Sequence, residues 1–237
     1  MAYIKKTIYA GRTIEVYKHY AFRCGPDGKK RRRRSKETSE EQKKINARRA
    51  EDNLRQLINC NFQHKDIHLV LTYKPDERPD AIGAKRELAN FLRRLRNYFK
   101  RQQRELKYIA VTEYKSKAIH HHLVIPSADM RDIVELWTKG KARATFLDDS
   151  GQYSKLAAYL IKETDKTFRD TDSPARKRWC ASKNLVRPTI KTHTIKSVRW
   201  QSKPAAEAGY YIEKDSLRSG VTAAGYEYQF YRMIRLE

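Results

Sequence analysis

The spacing of apolar residues predicts an alternation of strands and helices over the middle of the chain. Short runs of β-branched and aromatic residues predict strands, and apolar residues that recur every three to four positions predict helices. The predicted strands are Ile67–Tyr73, Tyr108–Tyr114, Ile119–Ile125 and Arg143–Leu147. With the intervening helices, the order is strand, helix, strand, strand, helix, strand and a final helix. This order predicts an α+β fold of the ferredoxin-like, split βαβ type, in which helices flank a central antiparallel sheet.

Capping residues set the expected ends of these helices. Asp80 is the predicted N-cap of the first helix. Ser127 is the predicted N-cap of the second helix, and Gly140 is expected to end it. The third helix is predicted to begin at Ser154 and to continue to about Lys162.

The segments on either side of this core are basic and contain further elements. We expect residues 1–60 to form an N-terminal arm with a helix from Ser39 to about Cys60. Residues 61–165 then form the central domain, and residues 166–237 form an extension that packs on that domain or continues it. Strand-like segments occur in both flanks: Tyr3–Tyr20, as two strands that turn near Gly11, Thr189–Ile195, Gly209–Ile212 and Tyr226–Leu236.

Charge changes the picture from fold to partner. The 52 Lys and Arg residues exceed the 28 Asp and Glu residues, which gives a net charge of +24. Such an excess indicates a polyanionic partner, nucleic acid first and an anionic membrane second. No membrane segment or signal peptide is expected, because no apolar run of about 18 residues occurs and none follows Lys5 and Lys6. Three cysteines without CxxC spacing are typical of a reducing cytoplasm and argue against disulfides or structural zinc.

Two basic segments are predicted to contact DNA. The first is a run of six cations, which either contacts phosphate or serves as a solubilising tail: Lys29, Lys30, Arg31, Arg32, Arg33 and Arg34. The second combines cations with an aromatic ring in a predicted loop: Arg176, Lys177, Arg178, Trp179, Lys183 and Arg187. The indole of Trp179 either stacks on a base or packs in the core, and the sequence leaves both interpretations open.

Three adjacent histidines lie inside one predicted strand. Because side chains alternate along a strand, His120 and His122 point to one face and His121 points to the other. Two imidazoles about 7 Å apart along a strand can converge on one metal ion. A hairpin brings Glu113 across from this pair, which predicts a three-ligand site with open positions. The alternative is that these histidines are half-buried strand residues with hydrogen bonds to the backbone.

Tyr159 and Lys162 are three residues apart in the last predicted helix and therefore share one face. A tyrosine oxygen can attack phosphorus and hold DNA covalently. A neighbouring lysine can lower the pKa of the phenol or stabilise the phosphate charge. The competing interpretation is an ordinary amphipathic helix with a packed tyrosine and a solvated lysine, and the Tyr-x-x-Lys pattern alone does not exclude it.

These motifs together resemble the HUH endonucleases, which include rolling-circle replication initiators, relaxases and single-tyrosine transposases. The first motif resembles LVLTYK at Leu69–Lys74, the second is His120–His122 with Glu113 upstream, and the third is Tyr159–Lys162. The stretches VTEYKSKAIHHHLVI, ELWTKGKA, AAYLIKET and KRWCASKNLVRPTI resemble rolling-circle replication-associated proteins of Gram-positive plasmids, phages and integrated elements. The chain departs from the family at His121, where a bulky hydrophobic residue is usual.

The resemblance implies a mechanism and a set of partners. A divalent ion, Mg²⁺ or Mn²⁺, polarises the scissile phosphate of single-stranded or hairpin origin DNA. Tyr159 attacks phosphorus to give a 5′-phosphotyrosine and a free 3′-OH, and a later transesterification rejoins the strand. A host helicase and polymerase are further expected partners, in a bacterial cytoplasm. Tyr153 lies about 240° round the helix from Tyr159 and is not expected to act as a second nucleophile.

Two alternatives to a replication initiator remain open from the sequence. A relaxase or a single-tyrosine transposase of a mobile element would use the same chemistry. A non-catalytic, ferredoxin-like nucleic-acid-binding protein would instead present exposed aromatic residues on the sheet face that carries His120, His122 and Glu113.

Overall fold

A computed structural model describes residues 2–21, 39–114, 118–168, 177–196, 200–222 and 224–236. The predicted phosphate contacts at Lys29, Lys30, Arg31, Arg32, Arg33, Arg34 and Arg176 lie outside the described residues. No helix in the described ranges is long and apolar enough to cross a membrane.

Strands and helices alternate through the described residues. The strands are β1 (Ala2–Ala10), β2 (Thr13–Ala21), β3 (Ile67–Thr72), β4 (Ile109–Glu113), β5 (His120–Ile125), β6 (Ala142–Phe146), β7 (Cys180–Ala181), β8 (Thr189–Ile195), β9 (Tyr210–Ile212), β10 (Arg218–Val221) and β11 (Glu227–Arg235). The α-helices are α1 (Glu40–Asn61), α2 (Ala81–Arg101), α3 (Met130–Leu136) and α4 (Ser154–Phe168), and short 3₁₀ turns occupy Pro75–Glu77 and Lys214–Ser216.

The chain divides into two compact units, which differ from the predicted division after residues 60 and 165. One unit comprises Asn46–Val186, and the other combines Met1–Ile45 with Arg187–Glu237. The difference arises because β1 pairs with β8 and β2 pairs with β11, so that strands from the two ends of the chain share one sheet. Local sequence patterns reveal strands but not which distant strands pair.

The unit Asn46–Val186 has the predicted α+β, split βαβ fold. Its antiparallel sheet has the order β6-β3-β5-β4-β7, with β5 at the centre. The hairpin of β4 and β5 was expected from the sequence, and β7 adds a short strand next to β4. The ferredoxin-like fold class is therefore confirmed, with β7 as an addition at one edge.

The two faces of this sheet pack against different helices. Because side chains alternate along each strand, each strand contributes to both faces. One face meets α2 and α3 in a core that includes Leu69, Leu71, Leu88, Phe91, Leu95, Phe99, Leu123, Ile133 and Trp137. The other face meets α1 and α4 in a core that includes Leu54, Leu57, Ile58, Ile109, Val111, Val124, Ala157, Leu160 and Ile161.

The helix ends only partly follow the prediction. Asp80 caps α2 as expected, and its carboxylate accepts a hydrogen bond of 2.7 Å from the Gly83 amide. Ser127 is the wrong cap for α3, because Asp129 holds that position and accepts from the Arg131 amide. The Ser127 amide instead donates to Asp66 Oδ1 at 2.9 Å, which fixes this residue in the preceding connection.

The prediction that Gly140 ends this helix is also wrong, since α3 stops at Leu136. Gly140 lies against the end of β3 instead. A Cβ atom at this position would lie 2.1 Å from the Thr72 carbonyl oxygen. The glycine therefore permits a close approach of two backbone segments rather than a helix end.

The second unit contains a six-stranded antiparallel sheet with the order β10-β11-β2-β1-β8, and β9 also pairs with β11. The predicted strands near both chain ends are confirmed, including the hairpin at Gly11, which has a φ of 58°. Four buried side chains form its apolar core: Ile14, Val16, Tyr231 and Met233. Buried Arg232 lies 2.6 Å from the Glu213 carboxylate and 3.6 Å from that of Glu15.

Candidate active site

The hairpin of β4 and β5 places three metal-binding side chain types side by side. Glu113 is the last residue of β4, and it pairs directly with His120, the first residue of β5. Two residues further along β5, His122 pairs with Val111 of β4 and Val70 of β3. Strand alternation therefore puts these two histidines and Glu113 on the face that α1 and α4 cover.

Glu113, His120 and His122 form a group that can bind a metal ion. Each offers one ligand atom, and these atoms lie within 4.8 Å of one another. His120 Nε2 is 3.1 Å from Glu113 Oε2. The Glu113 and His122 side chains are buried, with relative exposures of 1% and 2%. Two imidazoles and one carboxylate leave positions open for substrate oxygen atoms, as a catalytic site requires.

Hydrogen bonds orient both imidazoles toward this group. His120 Nδ1 lies 2.8 Å from the Ala118 carbonyl oxygen, which leaves Nε2 directed at Glu113. His122 Nδ1 lies 3.2 Å from His68 Nε2. His122 Nε2 is buried and has no hydrogen-bond partner among the described residues. A buried nitrogen of this kind is costly unless it gains a partner, and a metal ion suits the site.

Sequence analysis did not identify His68, which belongs to β3 on the same face. Its ring stacks on that of His122, with centroids 5.4 Å apart and an interplanar angle of 18°. The strict alternation of buried and partly buried positions in β3 reveals the face of His68. The sequence does not reveal the register between β3 and β5, which places His68 diagonal to His122.

Burial keeps these histidines neutral at neutral pH. It lowers the pKa of His122 to about 3, and the nearby His120, His68 and His121 lower that pKa further. Burial likewise lowers the pKa of His68 to about 4. A neutral imidazole has the lone pair that metal coordination needs.

His121 lies on the opposite face of the sheet and is fully buried. Its Nε2 is 2.7 Å from the Tyr73 hydroxyl, and its Nδ1 is 2.8 Å from Thr112 Oγ1. Its ring also makes an edge contact with Trp137. Both nitrogens are thus engaged in the core beside α2 and α3, and burial lowers the pKa of His121 to about 3.

Tyr159 reaches the histidine group from α4. The neighbouring Leu160 and Ile161 are buried and fix the helix, while Tyr159 itself is 42% exposed. Its ring centroid lies 5.3 Å from that of His122 and 6.2 Å from that of His68. Burial and the negative charges of Glu163 and Glu113 raise the pKa of Tyr159, so that the phenol is protonated at neutral pH.

Comparison with known proteins gives this arrangement a family context. Residues 66–168 match the family model of the replication-associated protein ORF2. The expected resemblance to rolling-circle replication-associated (Rep) proteins is thereby confirmed for this segment, which runs from β3 through α4. The match supports a replication-associated role with DNA as the partner. Searches of curated proteins and of solved structures found no significant match.

Two further residues of α4 differ in their relation to the Rep-like site. Lys162 is exposed and makes no hydrogen bond or ion pair with a residue that the structure describes. The suggestion that Lys162 lowers the phenol pKa is wrong for this structure, because the pKa of Tyr159 is raised. Tyr153 is buried, and its hydroxyl donates to the Asp148 carbonyl oxygen at 3.1 Å, within the core.

The basic segment after the Rep-like domain is dispersed in the structure. Trp179 is half-buried and packs against the core beside α1 and α4, as the packing interpretation predicts. Lys177 and Lys183 are exposed, and Arg178 is half-buried. Arg187 is exposed and belongs to the second unit. Contacts of these cations with DNA stay a prediction.

Proposed function

We propose that this chain is a rolling-circle replication initiator, which nicks and rejoins single-stranded origin DNA by metal-dependent transesterification on Tyr159. The observation that carries the proposal is the convergence of Glu113, His120 and His122, with ligand atoms within 4.8 Å of one another. Tyr159 stands beside this group, with its ring 5.3 Å from that of His122.

Glu113, His120 and His122 would hold a divalent ion, Mg²⁺ or Mn²⁺. Such an ion, when bound, supplies Lewis-acid stabilisation of the negative charge on the oxygens of the scissile phosphate. Imidazole ligands suit Mn²⁺, and the carboxylate suits both ions. Burial of Glu113 and His122 strengthens electrostatic interactions at the site because water is excluded there.

Tyr159 supplies the nucleophile. Its phenol oxygen forms a bond to phosphorus while the bond from phosphorus to the 3′ oxygen breaks, which yields the 5′-phosphotyrosine. The phenol loses one proton, and the leaving 3′ oxygen gains one. Because the pKa of Tyr159 is raised, this phenol gives up its proton during the attack rather than beforehand. Its partial exposure leaves the oxygen accessible to a DNA strand.

Lysine and arginine side chains provide the attraction for DNA. The net charge of +24 favours a polyanion over most other partners. Lys162 is exposed one helical turn after Tyr159, where its ammonium group can contact a phosphate without affecting the phenol. We assign the same role to the exposed Lys177, Lys183 and Arg187 and to the cations of residues 29–34.

The arrangement fits a nuclease better than a sheet-based binding protein. Ferredoxin-like RNA-binding domains stack bases on aromatic residues of an open sheet face. Here α1 and α4 pack on the face that carries Glu113, His120 and His122. A relaxase or a single-tyrosine transposase would share the site chemistry, and mapping the nick on the native genetic element separates these functions from replication.

The test is cleavage of a single-stranded oligonucleotide from the native element in the presence of Mn²⁺. We expect a cleaved product and a covalent protein–DNA species on a denaturing gel, and both should vanish with EDTA. Tyr159→Phe should abolish the covalent species, whereas Tyr153→Phe serves as the matched control and should retain it. Cleavage that persists in EDTA would exclude the metal-dependent mechanism, and an unchanged adduct in Tyr159→Phe would exclude Tyr159 as the nucleophile.

A further inference from the structure

We infer that His68 is a positioning residue that holds His122 in the orientation and tautomer needed to bind a metal ion. This inference rests on the proposed function, since it concerns the same metal site. His68 Nε2 lies 3.2 Å from His122 Nδ1, which is hydrogen-bonding distance, and the two rings are stacked. His68 is anchored on β3, a strand that pairs directly with β5 over its whole length.

The contact allows one consistent arrangement of protons. A neutral imidazole carries its proton on one nitrogen and has a lone pair on the other. If His122 coordinates the ion through Nε2, its proton must lie on Nδ1 and be donated to His68 Nε2. The proton of His68 then lies on its own Nδ1. His68 therefore selects the tautomer in which the buried Nε2 of His122 is free to coordinate.

His68 acts on the ligand rather than as a ligand. The group of potential ligand atoms within 4.8 Å of one another comprises Glu113, His120 and His122. His68 contacts the nitrogen of His122 that is not available for coordination. Hydrogen bonds of this kind to metal-binding histidines typically change metal affinity by about 10–100-fold when they are removed.

The experiment measures Mn²⁺ affinity of the full-length protein by calorimetry, together with Mn²⁺ electron paramagnetic resonance. His68→Leu retains an apolar side chain but removes the acceptor, and we expect its Kd for Mn²⁺ to rise by about 10–100-fold. His68→Gln keeps an acceptor oxygen near the position of Nε2 and should recover most of the affinity. His64→Gln, at an exposed histidine, is the matched control and should bind as wild type does.

Cleavage kinetics separate positioning from a general loss of structure. In His68→Leu, saturating Mn²⁺ should restore kcat, while the Mn²⁺ concentration for half-maximal rate stays raised. Unchanged Mn²⁺ affinity in His68→Leu would overturn the inference, as would a spectrum of the wild type with three coordinated imidazoles. If wild type binds no Mn²⁺ at all, the proposed function fails; if wild type binds and His68→Leu binds equally well, only this inference fails.

A separate observation concerns a basic cavity at the other end of β4. The cavity has a volume of about 550 Å³ and is lined by residues from the end of α2, the start of β4 and the segment after β7. Four cations line it, with a single carboxylate from Glu105: Arg96, Lys100, Arg104 and Lys183. Tyr108 in this cavity immediately precedes β4 while Glu113 ends that strand, so about 17 Å of strand separates the cavity from the metal group.

The charges in this cavity are largely uncompensated within the protein. Arg104 donates to the Ser127 carbonyl oxygen and lies over the ring of Phe99. Arg96, Lys100 and Lys183 make no ion pair with a residue that the structure describes. Like charges gathered around one depression repel one another, and this repulsion is relieved when an anion binds.

We propose that the basic cavity binds backbone phosphates of the DNA away from the scissile position, given DNA as the partner in the proposed function. A distance of about 17 Å corresponds to roughly five nucleotides at 3.4 Å per step. We therefore expect DNA that extends beyond this distance on one side of the nick to bind more tightly than a shorter oligonucleotide.

The test compares two double variants on oligonucleotides extended on either side of the nick. Lys100→Ala with Lys183→Ala should remove the affinity gained from the extension and reduce the slope of log K against log salt by about 1.4–1.8. Arg86→Ala with Arg93→Ala removes two exposed cations of α2 outside the cavity and is the matched control. An equal loss in both double variants would overturn this proposal, whereas adduct formation on the shortest cleavable oligonucleotide tests the proposed function separately.

Discussion

The three adjacent histidines of β5 have three different environments, and burial decides what each can do. His122 is buried with one nitrogen bonded to His68 and the other directed at the ligand group. His120 is half-buried at the start of the strand, beside the Glu113 carboxylate. His121 has both nitrogens engaged in the opposite core. Alternation along one strand therefore separates two candidate ligands from one structural residue.

His121 should make the stability of the protein depend on pH. Its pKa is about 3 in the folded state and about 6.5 in the unfolded chain. Between these values the unfolded state binds more protons, so the free energy of unfolding falls as the pH falls below about 6.5. We expect His121 to account for a loss of about 1 kcal/mol between pH 7.5 and pH 5.5.

Urea denaturation of wild type and His121→Gln at these two pH values measures this effect. The variant is expected to be less stable at pH 7.5, because it disturbs the contacts with Tyr73 and Thr112. Its stability should nevertheless change less with pH than that of wild type. An identical pH dependence in both proteins would show that His121 does not titrate as a buried neutral group.

At the scale of elements, local patterns predicted most strands and helices because those patterns reflect which side chains are buried. The amphipathic repeat of α2 and the apolar runs of β3, β4 and β5 required no information from distant residues. The start and end of α3 were wrong because distant groups decide them. Asp66 holds the Ser127 amide, and the end of β3 lies against Gly140.

Gly140 is expected to tolerate no side chain. The Thr72 amide donates to Lys141 and the Lys74 amide donates to Lys139, so Gly140 lies between two backbone hydrogen bonds. A Cβ atom there would lie 2.1 Å from the Thr72 oxygen, and the backbone must shift to make room. Gly140→Ala should lower the free energy of unfolding by about 1–3 kcal/mol in chemical denaturation. Thr138→Ala, an exposed position in the same turn, should change it by less than about 0.5 kcal/mol; equal effects would contradict the close approach.

The candidate site was predictable to the extent that one hairpin builds it. Glu113, His120 and His122 are brought together by a single local turn between β4 and β5. The place of Tyr159 followed from its motif and the family resemblance rather than from geometry. His68 could not be assigned, because its contact with His122 depends on the register of β3 with β5, two strands that are distant in the sequence.

At the scale of the whole molecule, the chain ends complete a sheet that the sequence presented as separate segments. β11 is a central strand of this sheet and pairs with β2, β9 and β10. Its alternation and apolar content predicted a strand, but its pairing with β2 joins residues from opposite ends of the chain. The predicted arm and extension are consequently parts of one folded unit rather than appendages.

Met233 of β11 should be essential to this unit. It is 1% exposed and shares a small core with Ile14, Val16 and Tyr231. Met233→Ala should cost about 2–5 kcal/mol of stability and increase amide hydrogen exchange in β1, β2 and β11. Amides of β3, β4 and β5, which belong to separate cores, should keep their protection. Val221→Ala, an exposed change in β10, is the control, and unchanged exchange in Met233→Ala would contradict the assignment of this core.

The central claim concerns the identity of the residue that becomes attached to DNA. The most direct measurement is mass spectrometry of tryptic peptides after the full-length protein has reacted with a cleavable oligonucleotide in Mn²⁺. Cleavage after Lys155 and Lys162 isolates a peptide, LAAYLIK, whose single tyrosine is Tyr159. We expect the nucleotide-derived mass on this peptide. Attachment at any other tyrosine, or strand cleavage without a covalent species, would contradict the account.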